Sequence, residues 1–510
     1  HRSERHLTSN DGEAPSRKPA VTLLNDQGRY DPWPLMTEKI QEVFSRGQGI
    51  IFLVPETSFL EPVNAHLKKS LSFSGMVWDP RTPKQQLQQW LALKNGSARM
   101  VIGTRSAVFA PLPKLGLIVL YQEENHSYKQ EQSPFYHARQ MAWMRGVLEG
   151  AGLLLVSSSP SAEVWRLASQ KKIHVCREAP FPGGKDLSPL DVIDLSNYRP
   201  RKTPVSFPLR NRIEETLKEG GKIVLIMNRR GFSRLTRCTQ CGYTFQCTRC
   251  AVNLRYSYAQ KKLVCQRCNF SMGFPRVCPQ CQNSHLKALG IGIEKLESEM
   301  SRIFPQAKIS RYEKETQRFP EGFDILVSTQ AVLRLRHILS VDLIGWIQVD
   351  SELNHPDFRA AERLFSTLIS LRQWARQRVV VQTRLSDHYC FKAASRMDFP
   401  FFYRQELKLR KELGLPPFNH LVALGVRAPQ EELALEQVYS LYSRLKELKA
   451  DPKAEILEPH PDVVPKLRDK YRFTIFLKGK SAPKIVTCIK QALKGFKRKK
   501  DVTITVNVDP

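Results

Sequence analysis

No stretch of this 510-residue chain approaches the roughly 18 consecutive apolar residues that a membrane-spanning helix needs. The opening HRSERHLTSNDGEAPSRKP has no apolar core, so it is not a secretory signal. No initiating Met heads it, so a fragment of a longer chain is expected, with a cytoplasmic location. Internal repeats are absent. Acidic residues are scarce: 49 stand against 79 Lys and Arg, for a net charge of +30. That imbalance points to a polyanionic partner, most often nucleic acid. The plainer alternative is a basic, soluble protein with no such partner. A membrane surface is disfavoured, because no compact basic amphipathic helix stands out, and the clusters KRKK (497–500) and KK (171–172) read as solvated surface.

Hydrophobic content of 41% and the length leave ample material for several cores. Residues 1–20 are polar and read as linker or disordered. From 21 to 185, short apolar runs alternate with amphipathic stretches. GIIFLVPE (49–56), RMVIGT (99–104), LGLIVL (115–120) and GLLLVSSSP (152–160) read as buried strands of a parallel sheet. A connector at 178–208 leads to a helix (209–219) and another strand, KIVLIM (222–227). The α/β pattern resumes after a cysteine-rich insertion, with FDILVST (323–329), LIGWIQVD (343–350) and RVVVQT (378–383). A last region, 391–510, begins with helices and ends in the alternating strands RFTIFLKG and VTITVNVDP, an α+β pattern.

Eight of the eleven cysteines fall within 44 residues as four C-x-x-C pairs: Cys238/Cys241, Cys247/Cys250, Cys265/Cys268 and Cys278/Cys281. Each pair can present two thiolates to one ion, and two pairs complete a tetrahedral site, so two zinc ions are expected. Disulfides and an iron–sulfur cluster are the alternatives. Spacing alone leaves open which pairs share an ion. Between Cys238 and Cys281 lie six basic residues and no acidic one. Eight thiolates and two zinc ions carry −4, so that basicity largely offsets the metal centres, leaving about +2. Cys176, Cys390 and Cys488 read as core residues.

LIMNRRGFSRLTRCTQCGY followed by the four pairs resembles the PriA family of bacterial primosomal replication-restart helicases, of superfamily 2. FLVPETS (52–58), ARMVIGTRSAVFAPLPKLGLI (98–118), SYKQEQSPFYHAR (127–139), PDFRAAERLF (356–365), LGLPPF (413–418) and the terminal VDP agree, in order. The resemblance covers residues 22–510, without the family's amino-terminal DNA-binding domains. It implies two RecA-like helicase lobes: the first over 21–185, the second starting in 186–236 and completed by 285–390. A two-zinc module (237–284) interrupts the second lobe, and an α+β C-terminal domain follows (391–510). It also implies that Cys238, Cys241, Cys278 and Cys281 hold one zinc, and Cys247, Cys250, Cys265 and Cys268 the other. Implied partners are fork and single-stranded DNA, other primosome proteins, single-strand DNA-binding protein and the replicative helicase.

The family's ATPase motifs are expected to be degenerate here. Its phosphate loop should fall at DQGRYDPW, Asp26 to Trp33, where the closing G-K-T has become Asp31-Pro32-Trp33. Pro32 offers no N–H, Asp31 repels phosphate, and Trp33 cannot replace a Mg²⁺-binding hydroxyl. The family's D-E-E-H should begin at 121, where Tyr121-Gln122-Glu123-Glu124 stands; Gln cannot be a general base. Glu123 and Glu124 read as solvated loop acids. In the second lobe TQAVLRL (329–335) lacks the family's Lys-Gly. SLRQWARQ (370–377) puts Trp374 and Gln377 at the arginine positions that stabilise phosphoryl transfer. Arg372 and Arg376, placed on a helix, would point ~100° or more away. No catalytic and no nucleotide-binding residue is therefore expected.

In 127–139, Tyr128, Lys129, Tyr136, His137 and Arg139 interleave aromatic and basic side chains, a pattern suited to stacking on bases with phosphate contact. The competing reading is a buried aromatic core with solvated charges. The expected function is recognition of stalled or branched forks as an assembly platform for reloading the replicative helicase, without ATPase activity. The rivals are an active ATP-dependent 3′-to-5′ helicase and a zinc-containing RNA- or ribosome-binding protein.

Overall fold

The computed structural model describes residues 19–510 except 72–74, 80–81, 177–185, 197–202, 228–234, 239, 242, 250–253, 258–261, 266–269, 285, 290–292, 314–315, 317–318, 337, 356 and 449–453. The expected linker therefore lies almost wholly outside the described residues.

A seven-stranded parallel sheet is built from β1 (Val21–Asn25), β2 (Gly49–Leu53), β3 (Met76–Trp78), β4 (Met100–Gly103), β5 (Leu115–Tyr121), β6 (Gly152–Ser157) and β7 (His174–Cys176). Its spatial order is β3-β4-β2-β5-β6-β1-β7. The strands are continuous apolar runs because both faces are covered: Ile50 and Phe52 pack into one core, Ile51 and Leu53 into the opposite one. Each such side chain contributes ~1.5–3 kcal/mol on burial. β6 separates β1 from β5, with Val21 opposite Leu153 and Leu117 opposite Gly152. The carboxyl ends of β1, β6 and β5 thus form one edge, the place where open α/β sheets bind ligands.

A second parallel sheet holds β8 (Leu190–Asp194) and β9 (Ile223–Met227). Five short antiparallel strands then interrupt it: β10 (Leu235–Cys238), β11 (Arg255–Ser257), β12 (Lys262–Val264), β13 (Ser271–Gly273) and β14 (Leu286–Leu289). The sheet resumes with β15 (Ile309–Tyr312), β16 (Ile325–Ser328), β17 (Val341–Ile347) and β18 (Ala375–Thr383), in the order β15-β16-β9-β17-β18-β8. β8 lies in the stretch expected to be a connector. It pairs with β18 over Leu190–Asp194, so the connector supplies an edge strand. The helix Ala360–Trp374 ends where β18 begins, so Arg376 sits on a strand rather than on a helix.

The last sheet is antiparallel: β19 (His420–Ala428), β20 (Glu455–Ile456), β21 (His460–Leu467), β22 (Lys470–Gly479) and β23 (Thr503–Val508), with β19 central between β22 and β23. Helices Glu431–Leu448 and Ala482–Leu493 bury Val438, Leu441, Ile485 and Ile489 against it. The helices that open 391–510 pack elsewhere. Phe391, Phe399, Phe402 and Tyr403 join the core of the second parallel sheet, where Phe365 stacks on Phe402 with centroids 4.0 Å apart. No helix among the described residues is long and apolar enough to cross a membrane.

Candidate functional site

Between β1 and the helix Trp33–Ser45 lies the strand–turn–helix junction at which a phosphate loop would sit. Several of its backbone N–H groups already have acceptors. Gly28 N donates to Asp26 Oδ1 (2.7 Å), Gln27 N to Asn25 Oδ1 (3.2 Å), Arg29 N to Asp26 O (2.9 Å) and Trp33 N to Asp31 Oδ1 (3.1 Å). The protein's own oxygens fill the nest an anion would need. Asp26 is buried, and desolvation pushes its carboxyl up to about 6. At the helix start, the indole of Trp33 stacks on His66 (centroids 4.0 Å apart) and lies 5.8 Å from Tyr121 and 6.2 Å from Phe52. Two aromatic rings, Trp33 and Tyr121, thus stand where the family resemblance expects a phosphate-loop hydroxyl residue and a metal-binding Asp.

β5 ends at Tyr121, and Gln122 turns the chain with a left-handed φ of 55°. That turn overrides the expected solvated loop. Glu123 is fully buried: it pairs with Arg139 and accepts from Ser161 N at 2.7 Å. Glu124 accepts from Ser157 Oγ at 2.7 Å. Desolvation, with the adjacent Glu123 second, pushes its carboxyl up to about 8. The folded chain thus holds a proton at Glu124 that the unfolded chain releases near its usual 4.5. Its contribution is present below about 4.5 and is lost as pH rises towards about 8. The melting temperature of the wild type is expected to fall across this window, and Glu124→Gln to flatten part of that fall, measured by thermal denaturation at constant ionic strength.

The second parallel sheet closes the cleft. Gln373 donates to Ser158 Oγ at 3.1 Å and packs against Gly28, whose φ is +76°. A Cβ there would lie 2.9 Å from the Gln373 amide nitrogen, so a side chain would clash as well as strain the turn. Arg334 pairs with Glu56 at 2.8 Å, and Arg336 lies 5.4 Å from the Phe59 ring. Neither family arginine position faces the cleft with a cation. Trp374 is buried and donates to Leu339 O at 2.7 Å; Gln377 bonds Glu219 at 3.0 Å. Arg372 turns away into the fold, onto Ser188 O (2.7 Å) and Ala394 O (2.6 Å).

The five residues expected at nucleic acid have internal partners. Tyr128 is fully buried, its hydroxyl 2.7 Å from Tyr121 O and 2.9 Å from Leu53 O, so its ring offers no face to a base. Lys129 Nζ donates to Val508 O (2.6 Å) and Asp509 O (3.0 Å), and desolvation lowers its pKa to about 8. His137 caps the helix Ala138–Glu149 by accepting from Arg139 N, and desolvation keeps it neutral. Tyr136 is half-buried, edge-on to exposed Phe109 at 5.1 Å. Arg139 joins Glu123 to Glu163.

Arg139 belongs to a polar clamp that the sequence reading missed. Arg410, 2% exposed, pairs with Glu362 and Glu406, and lies 3.8 Å from Glu163. Glu362 also accepts from Ala162 N at 3.0 Å. Arg359 reaches Glu163 (3.4 Å) and Pro510 O (2.8 Å), and the Tyr403 hydroxyl donates to Pro160 O. Burial raises Glu163, but Arg359, Arg139 and Arg410 outweigh it and hold the carboxyl well below the usual range. The signal was the i,i+4 pair Glu406/Arg410 on a helix with an apolar face.

Cys238, Cys241, Cys278 and Cys281 converge with all four Sγ atoms within 4.8 Å of one another, two of the separations being 3.5 Å. A zinc ion with ~2.3 Å bonds to four tetrahedral thiolates sets S···S near ~3.8 Å. The cluster could hold a metal ion and fits zinc; separations of 3.5 Å are far too long for a disulfide. Cys247 and Cys265 are buried in one small core with Phe245, Leu254 and Leu263. Their expected partners, Cys250 and Cys268, lie outside the described residues.

Residues 411–510 match the family model described as the primosomal protein N C-terminal domain. The chain is 28% identical to the replication restart protein PriA of Bacillus subtilis (strain 168), over 96% of this chain and 64% of that protein. It is 30% identical to that of Treponema pallidum (strain Nichols), over 92% and 74%, and 29% identical to that of Haemophilus influenzae, over 96% and 70%. The chain thus spans a little under two thirds of the Bacillus protein. Among solved structures, RecG bound to a three-way DNA junction aligns over 78% of this chain and 44% of that one, at 12% identity and a TM-score of 0.38, too low to add to the topology above. With its two parallel sheets, the cysteine-rich insertion in the second and a relative matched at this identity along most of both lengths, the chain belongs to the PriA replication restart family.

Proposed function

We propose that this chain binds stalled or branched fork DNA and serves as an assembly platform from which the replicative helicase is reloaded, without hydrolysing ATP. The single observation that carries the second half is the filled cleft: Trp33 stacked on His66 beside Tyr121, with the N–H groups of Gln27, Gly28, Arg29 and Trp33 already bonded. For ATP to enter, the stack would have to open and the Asp26 and Asp31 oxygens leave their donors. At the two positions where the family resemblance expects the arginines of phosphoryl transfer stand Trp374 and Gln377, each bonded within the fold. Glu123, Arg139, Glu163, Arg359, Glu362 and Arg410 join both parallel sheets and the C-terminal segment in one network of ion pairs, buried at Glu123, Glu362 and Arg410. A device that must open and close on nucleotide is poorly served by such a weld; a platform is well served by it.

Binding would be chiefly electrostatic and steeply salt-dependent, as the charge of +30 supports. Within 127–139, one aromatic still partly open to a base is Tyr136 beside exposed Phe109. Two zinc ions, one on Cys238, Cys241, Cys278 and Cys281 and one on Cys247, Cys250, Cys265 and Cys268, would fold a module whose own apolar core is small. Other primosome proteins and single-strand DNA-binding protein are the partners this reading assigns, as the relatives' shared name, replication restart protein, supports.

The test is equilibrium binding to fork DNA by fluorescence anisotropy at fixed salt, with and without Mg·ATP, against structured RNA of equal charge. The fork Kd is expected to be unmoved by nucleotide and tighter than the RNA Kd. A fork with no advantage over RNA, or a tenfold ATP effect, would contradict the reading.

A further inference from the structure

The turn joining β21 to β22 reaches out of the C-terminal sheet and touches the cysteine-rich module in three ways. Leu467 packs against the small core that holds Cys247 and Cys265. The Asp469 carboxylate lies 2.7 Å from Arg249 Nε. The Asp469 backbone N donates to Arg249 O at 3.1 Å. Arg249 stands inside the knuckle Cys247-Thr248-Arg249-Cys250, one residue before an expected metal ligand. The module has six basic residues and no acidic one between Cys238 and Cys281, so any carboxylate that pairs with it comes from outside that stretch. Asp469, set between Arg468 and Lys470, supplies one to Arg249.

The turn is shaped for the contact. Leu467 pairs with Lys470, leaving a two-residue loop in which Arg468 and Asp469 have φ of 51° and 61°. Both central positions of such a tight hairpin need φ > 0, which Asn-Gly meets cheaply and Arg-Asp does not. A strained turn of this kind persists where its surroundings over-determine it. Here the knuckle supplies one wall and the hairpin ladder the other.

We propose that the turn Leu467–Lys470 docks on the inner cysteine knuckle, so that metal occupancy of that knuckle and placement of the C-terminal hairpin are energetically coupled. The proposal rests on the reading that Cys247, Cys250, Cys265 and Cys268 hold a zinc ion. Metal binding orders the knuckle and with it the Arg249 carbonyl and guanidinium that Asp469 grips. Linkage makes the effect reciprocal: losing the hairpin's grip loosens the metal as much as losing the metal loosens the hairpin.

The test uses the full chain with its co-purified metal. Zinc content is counted first. Amide exchange of residues 465–471 is then followed before and after chelation, and zinc release to a chromogenic chelator is timed for wild type, Asp469→Asn and Leu467→Ala. Expected are faster exchange in this turn after chelation, and release of one of two ions quickened about three- to tenfold in the variants, with the other unchanged. Two bound ions, with exchange and release indifferent to metal and variant, would overturn the coupling alone. A chain that purifies without metal would overturn the metal reading and the coupling with it. The exchange experiment needs no variant, so misfolding of Leu467→Ala would not blunt it.

Discussion

Arg410→Met is expected to destabilise the fold by about 3–5 kcal/mol, because it strands Glu362 and Glu406 as buried, unpaired carboxylates. Burial lowers the Arg410 pKa, but Glu362, Glu406 and Glu163 outweigh it and hold the guanidinium charged. The loss comes mostly from the orphaned acids rather than from the arginine's own attraction. The triple variant Arg410→Met, Glu362→Gln, Glu406→Gln is therefore expected to recover most of it. Chemical denaturation of the three proteins measures this. A loss below about 1 kcal/mol for the single variant would mean that the pairs are solvated and the weld is weak.

The second large effect concerns the cysteines. Cys278→Ser is expected to abolish one of two bound zinc ions and to open residues 237–284 to protease, leaving the parallel sheets folded. Cys278 is fully buried within the four-sulfur cluster, and a hydroxyl there is a poor zinc ligand. In small zinc modules the apparent binding free energy, about 10–16 kcal/mol near neutral pH, is folding free energy. Cys176→Ser, half-buried on β7 and apart from the cluster, is the control that keeps both ions. Metal analysis with limited proteolysis reads the result. Two ions retained in Cys278→Ser would show that this set does not hold one.

Much of the architecture was legible because its signals are local. Apolar runs such as GIIFL in the first parallel sheet and KIVLIM in the second marked their strands, and the paired cysteines marked the inserted module. The expectation of degenerate ATPase motifs rests on residue type alone. What fills their place was not legible: nothing local says that Trp33 stacks on His66, or that Asp26 turns its carboxylate back onto Gly28 N. Glu123 was misread as a loop acid because its partner, Arg139, stands 16 residues on and meets it only when β5 and the helix Ala138–Glu149 pack. Tyr128 looked like a base-stacking residue by composition. Its burial depends on β2 and β5, whose carbonyls bracket its hydroxyl. The clamp escaped for the same reason: Glu163, Glu362 and Arg410 lie far apart in sequence, and their pairing is a property of the docked sheets.

The proposed function turns on whether the cleft between the two parallel sheets supports ATP hydrolysis. The most direct measurement is ATP turnover by the purified chain with Mg²⁺ and saturating fork DNA, in the mixtures used for binding. The account predicts no phosphate release above the protein-free rate. DNA-stimulated hydrolysis at about 1 s⁻¹ or faster, abolished by a substitution at Glu123 or Glu124, would contradict it.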